Sequence, residues 1–175
     1  MVWAVSAFGA KRSTGGRAWY REIGLRIGVL ALILLALRVP AVRHALRKVR
    51  AYAVNTSLLL GMVGVVLCAL GVGLAVWARV SLGRNWGLPM SRKEKPELVT
   101  NGPYAFARHP IYGGIILAML GSAIAQSPFW LAPLVLFGGY FIYSARREET
   151  LMSEQFPEAY PAYKQRTKML IPFVV

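Results

Sequence analysis

The chain has 175 residues, of which 56% are hydrophobic, a mean hydropathy of +0.46 and a formal net charge of +14 at pH 7. A soluble core of this length does not need so much apolar surface, so composition excludes an ordinary globular domain and points to one integral membrane domain over 1–175. The basic residues flank apolar runs instead of forming a basic unit with interleaved aromatics, which argues against nucleic acid as the partner and assigns the charge to a membrane surface.

In chain order, Met1–Glu22 reads as an interfacial segment, with Trp19 and Tyr20 as aromatic anchors between Arg17 and Arg21. Lys11-Arg12 stands where a small-residue cleavage site would be, so a cleaved signal peptide is not expected. The apolar run Ile23–Val39 is just long enough to span, and Pro40 ends it. Arg43, His44, Arg47, Lys48 and Arg50 then form a basic connector, expected as a short helix on the membrane. Val54–Val80 is the longest apolar segment. Gly61, Gly64, Cys68, Gly71, Ala75 and Ala78 recur in it at three- and four-residue steps, a stripe that lets another helix approach closely. Cys68 is the single cysteine, so no intrachain disulfide can form.

After a polar loop over Ser81–Thr100, Asn101-Gly102-Pro103 supplies turn chemistry, and Pro110 suits the first turn of a helix because the amide it lacks has no partner there. Arg108 and His109 therefore sit at a helix N-terminus, where free amides and the helix dipole suit a carboxylate or phosphate. The third run, Ile111–Ala125, reaches only about 22 Å at helical rise, less than the hydrocarbon thickness of roughly 30 Å. Gln126-Ser127-Pro128 turns the chain tightly into a fourth run, Phe129–Ala145. So short a connection forces the two helices antiparallel, which brings Arg146–Glu149 beside Arg108-His109. Leu151, Met152, Phe156, Tyr160 and Tyr163 are spaced as an amphipathic tail helix broken at Pro157 and Pro161.

The fold expected is all-α: a polytopic helical bundle with about four to five membrane helices, N-terminal helices in 1–90 and the functional half in 91–175. With four spans, the basic 40–53 connector would face opposite the 81–109 loop, against the positive-inside tendency. Three resolutions remain open: a first run that does not fully span, a further membrane element at Met1–Ala10, or an exception to the rule.

Gly102-x-Tyr104, Arg108-His109-Pro110-x-Tyr112-x-Gly114, Glu148-Glu149 one span later, and then Phe156, Tyr160, Tyr163, Arg166 and Ile171-Pro172 resemble the isoprenylcysteine carboxyl methyltransferase family. The resemblance covers the chain from about Glu97 onward. It implies a multi-pass membrane enzyme that uses S-adenosylmethionine, with the tail capping a cofactor pocket on the cytosolic side. Carried over residue by residue, that pocket would comprise Glu97, Tyr104, Ala105, Phe106, Ala107, Arg108, His109, Tyr112, Leu117, Ala118, Met119, Leu120 and Glu148. Arg147 and Glu149 are the candidates on the acceptor side. Family members acting on prenylated proteins carry an Arg about one turn before the double Glu, where this chain has Ser144. That departure bears on the acceptor more than on the cofactor.

Methyl transfer from a sulfonium needs alignment and exclusion of water, not a metal or a protein nucleophile. The sequence has no His, Cys and Asp cluster at ligand spacing, no catalytic-triad candidate and no dinucleotide fingerprint. The expected partners are a lipophilic or lipid substrate and membrane lipids, with no nucleic acid and no metal. Two other classes are weighed: an NADPH-dependent sterol-type reductase, which has a similar His-Pro-x-Tyr region but more spans, and a non-enzymatic protein that binds anionic lipid. Cofactor preference separates the three.

Overall fold

The computed structural model describes residues 38–52, 57–85 and 97–171, with seven isolated positions between 24 and 35. The expected interfacial segment 1–22, most of the expected span Ile23–Val39, and Trp86 and Pro172 lie outside the described residues. The regular elements are α1 (Pro40–Tyr52), α2 (Leu58–Leu82), α3 (Pro110–Ala125), α4 (Leu131–Gln155) and α5 (Ala159–Arg166). No β-strand occurs among the described residues; Ala107 and Lys168 form one isolated parallel bridge.

Pro40 opens α1 as well as closing what precedes it, and Arg43, His44, Arg47 and Lys48 are exposed along that helix. Ser57 caps α2, its hydroxyl accepting from the Leu60 amide at 3.4 Å. Twenty-five apolar-rich residues at 1.5 Å each make α2 about 37 Å long, enough to cross a bilayer. It ends at Gly83, whose φ of +53° is one that L side chains rarely adopt.

The small-residue stripe of α2 meets a matching stripe on the antiparallel α3. A Cβ placed on Gly71 would come within 2.5 Å of the Gly114 carbonyl oxygen and onto the Ala118 amide. One placed on Gly121 would come within 2.5 Å of the Gly64 oxygen and onto the Cys68 amide. The backbones thus touch twice, at Gly64 with Gly121 and at Gly71 with Gly114, and any side chain at these four positions would separate them. Gly61, although in register with the stripe, faces open space.

The α3–α4 hairpin turns through Ser127, whose hydroxyl accepts from Phe129 N at 3.1 Å, and a 3-10 turn over Pro128–Trp130. The fourth helix runs to Gln155, ten residues beyond the expected end of its apolar part at Ala145. Arg146, Arg147, Glu148 and Glu149 are good helix formers and carry it on out of the apolar zone. The outer surfaces of α2 and α4 remain apolar and exposed, as in Leu58 at 78% and Val135 at 74%, which is the surface a lipid-facing helix presents.

Pro157 falls in the break Phe156–Glu158, as expected of a helix stop. Pro161 instead lies within the first turn of α5, where its missing amide leaves no bond unmade, so it does not break the helix as the spacing predicts. Beyond α5 the chain runs alongside residues 106–109: the Arg108 amide donates to Lys168 O at 2.8 Å and the His109 amide to Met169 O at 2.9 Å. Gly113 admits this close approach, since a Cβ there would stand 2.7 Å from Leu170 O.

Gly71→Leu should force α2 and α3 apart and cost about 1–3 kcal/mol or more, as overpacking does. Thermal unfolding in detergent checks this, with Gly73→Leu, at an exposed position with nothing within 4 Å, leaving the midpoint unchanged.

Candidate active site

The short hairpin does what its length dictates: the start of α3 and the charged end of α4 lie side by side, and the tail folds across both. Arg108 stands at the junction. Its Nε donates to Glu149 Oε1 at 2.6 Å, and one terminal nitrogen donates to Lys164 O at 3.2 Å and to Thr167 O. Lys164 Nζ reaches the other oxygen of Glu149 at 2.8 Å. The Arg108 and Glu149 side chains are 9% and 7% exposed, so the charge on each is compensated within the protein. Burial raises the Glu149 pKa, but His109, Lys164 and Arg108 around it outweigh that and hold its carboxyl down at about 2. It is therefore an anion at any physiological pH and a weak base.

Glu148, one residue earlier, has different surroundings. Tyr112 donates to its Oε1 at 2.6 Å and Ser144, one turn before it on α4, donates to the same oxygen at 3.3 Å. Its Oε2 lies 3.5 Å from His109 Nδ1, and the side chain is 23% exposed. The Tyr112 ring stacks on His109 at 5.6 Å and on Phe141 at 4.9 Å, which fixes the phenol over Glu148. His109 is 9% exposed, and its Nε2 is buried without a hydrogen-bond partner, 3.7 Å from Glu149 Oε1. Burial disfavours the charged imidazole, yet the two carboxylates prevail and raise its pKa above the ordinary value.

The expected cofactor residues divide into groups. Arg108, His109, Tyr112 and Glu148 converge. Tyr104 and Ala107 are buried beneath the tail, and the Tyr104 carbonyl accepts from the Tyr163 hydroxyl at 2.7 Å. Burial pushes the phenols of Tyr104, Tyr160 and Tyr163 upward, that of Tyr163 to about 12, so all three are neutral donors. Ala105 and Phe106 are exposed. Of the turn Leu117–Leu120, Ala118 abuts Gly71 in the seam with α2. Glu97 is exposed and accepts from Asn85 Nδ2 at 3.0 Å. Arg147 is exposed and forms no ion pair among the described residues. The helix-entry amides expected to receive an anion are partly taken, since those of Arg108 and His109 bond to the tail.

Sequence reasoning marked Ser144 only as a departure from the family pattern and missed its bond to Glu148, along with Lys164 and the tail carbonyls. Ser144 carries a local signal, because its four-residue spacing to Glu148 puts both on one face of α4. Nothing local marks Lys164.

A cleft of about 490 Å³ opens on the outer side of Arg108 and Glu149, walled by Arg146 and residues 164–169. Tyr104, His109, Tyr112 and Glu148 do not line it. No group of three or more His, Cys, Asp or Glu at metal-binding spacing occurs among the described residues.

These features define a helical membrane protein with a partly buried cluster of charged and aromatic groups where its apolar helices end. The chain belongs to the phospholipid methyltransferase family, whose model matches residues 59–159. It is 33% identical over 106 residues to the nickel-cobalt-cadmium resistance protein NccN of Alcaligenes xylosoxydans xylosoxydans, covering 59% of this chain and 49% of that protein. To protein-S-isoprenylcysteine O-methyltransferase B of Arabidopsis thaliana it is 30% identical over 115 residues, covering 63% and 58%. The solved eukaryotic intramembrane Ras methyltransferase ICMT (isoprenylcysteine carboxyl methyltransferase) shares the fold with a TM-score of 0.56 at 23% identity, over 92% of this chain and 55% of that one. The resemblance to the isoprenylcysteine carboxyl methyltransferases seen in the motifs therefore stands. The chain spans about half the length of the curated relatives it matches.

Glu149→Gln would leave two cations facing a neutral amide and should cost about 3–5 kcal/mol, the scale for breaking a buried pair. Because the folded-state pKa of Glu149 is depressed, its contribution is fully present above pH 4.5 and declines as pH falls toward about 2. Limited proteolysis of the tail should show protection at neutral pH, loss of protection across that acid window, and loss at every pH in Glu149→Gln.

Proposed function

We propose that this chain is an integral, multi-pass membrane methyltransferase that transfers a methyl group from S-adenosylmethionine to a lipophilic acceptor. The observation that carries the reading is His109, whose buried Nε2 has no hydrogen-bond partner and whose Nδ1 faces the hydrogen-bonded Glu148, in a chain of the phospholipid methyltransferase family. An orphaned buried polar atom costs stability unless a ligand satisfies it. The residues fit the cofactor: His109 Nε2 can donate to its carboxylate, and Glu148 Oε2 can accept from its ammonium or a ribose hydroxyl. When bound, the cofactor supplies the reactive methyl group on a sulfonium.

What the chain's own residues then do is hold, orient and exclude water. Tyr112 and Ser144 hold one oxygen of Glu148 and leave the other pointed toward His109. Tyr112, stacked on His109 and Phe141, holds its hydroxyl fixed on Glu148. Arg108 and Glu149 lock the tail over the start of α3, and this cap shields the pocket on the cytosolic side. Glu149 acts through Arg108 and Lys164, while Arg147, exposed where α4 leaves the bilayer, is placed to meet an anionic acceptor arriving from solvent or membrane. A prenylcysteine-type carboxylate is the first acceptor to assay, since the Arabidopsis relative is by name an isoprenylcysteine O-methyltransferase. A phospholipid acceptor is the second, favoured by the description of the family and by Ser144, a neutral residue spent on Glu148.

Calorimetric titration in detergent should show micromolar-range binding of S-adenosylhomocysteine and none of NADPH. His109→Ala and Glu148→Ala should each weaken that binding by roughly tenfold or more, the scale of one charge-assisted bond, with helicity unchanged. Equal binding by both variants would remove the pocket assignment, and binding of NADPH alone would replace the reaction class.

A further inference from the structure

The cleft outside Arg108 is strongly cationic. Arg108, Arg146, Lys164, Arg166 and Lys168 line it with one carboxylate, Glu149. That carboxylate is already matched by Arg108 and Lys164. Arg146 and Lys168 have no acidic partner among the described residues, and Arg166 donates only to the Ala162 carbonyl, at 3.3 Å. A solvated surface ordinarily spreads like charges apart; here they converge on an open cavity of about 490 Å³.

Its place in the membrane narrows the choice of anion. Arg146 follows Ala145 directly, where the apolar part of α4 gives way to charge, so the cleft lies at the level of lipid headgroups. Below Arg146, Ile142, Gly139 and Val135 follow at four-, three- and four-residue steps, which places them on one face of α4. All are exposed, and Gly139 has nothing within 4 Å of where a Cβ would be, so an open apolar face of α4 lies below Arg146 on the cleft wall. A headgroup site above an open apolar face is the geometry of a phospholipid.

We propose that this cleft binds the phosphate of an anionic phospholipid whose acyl chain lies along Ile142, Gly139 and Val135. His109, Tyr112 and Glu148 do not line the cleft, which shares only the Arg108–Glu149 wall with them, and the proposal does not depend on the methyltransferase reading. The bound lipid would bridge α4 to the tail, because Arg146 belongs to one and Lys168 to the other.

The test is native mass spectrometry of the full chain in detergent with added phosphatidylglycerol, against phosphatidylcholine of the same acyl chains. One phosphatidylglycerol should be retained. Arg146→Ser with Lys168→Ser should lower its retention roughly tenfold or more, the effect of two interfacial cations. Arg146→Lys with Lys168→Arg should keep it, and so should Arg43→Ser with Arg47→Ser on α1. Equal retention of phosphatidylcholine, or unchanged retention in the double serine variant while it elutes as a monodisperse species, would overturn the proposal. Full displacement by excess inorganic phosphate would make this a free-anion site, and displacement by S-adenosylhomocysteine would make it part of the cofactor pocket; either result also overturns it.

Discussion

Arg108 ties three separate parts of the chain at one guanidinium. It stands at the entry to α3, its Nε bonds to Glu149 near the end of α4, and its terminal nitrogen reaches the carbonyls of Lys164 and Thr167 in the tail. A planar group with five donors can serve several acceptors at fixed angles, which a lysine could not. The arrangement is stable only because Glu149 balances the charge in a place where water cannot. Remove that balance and the tail loses its anchor, and with it the cover over His109 and Tyr112. The position of the candidate site therefore follows from one compensated charge.

The other constraint works below it in the apolar layer. The backbones of α2 and α3 touch at the paired glycines, so α3, only sixteen residues long, is held by close contact instead of by large side chains. Fixing α3 against α2 fixes the depth of His109 and Tyr112. The hairpin through Ser127 and Pro128 then fixes where α4 returns. Arg108 and Glu149 meet because two apolar contacts and one short turn leave them no other place.

Much of this was readable from residue pattern. The stripe Gly64, Cys68, Gly71 and Ala75 announced a close helix partner, and the brevity of Gln126–Pro128 announced that Arg108-His109 and Glu148-Glu149 would be neighbours. Both are consequences of helical periodicity and loop length, which act locally. The pairing of the tail with residues 106–109 was not readable, because its bonds run between backbone groups that every residue carries. Nothing in Lys168 or Met169 marks their carbonyls as acceptors. The same blindness hid the fate of the helix-entry amides. Spacing identifies a helix start but cannot say that its amides are already bonded. Pro161 shows the complementary error, since a proline reads as a break unless the position of the helix start is known to within a turn.

The adjacent acids Glu148 and Glu149 differ in a way that decides how the site can work. Successive residues on a helix point about 100° apart, so one carboxylate turns toward the tail and the other toward Tyr112 and His109. Glu149 meets two cations and is spent on holding the architecture. Glu148 accepts from two neutral hydroxyls, faces His109 Nδ1 at 3.5 Å, and stays partly open. A carboxylate that is ordered and partly open suits the cationic group of a ligand, and His109, whose Nδ1 faces it, keeps Nε2 as the donor that a ligand's carboxylate would need. A zwitterion therefore matches this pair of groups better than a simple cation or a simple anion does. Outside the Arg108–Glu149 wall the balance is reversed, with cations in excess and no free carboxylate. On that division of charge, a zwitterionic cofactor and an anionic lipid would sort to opposite sides of the wall, each excluded from the other's place by the sign of the field it would meet.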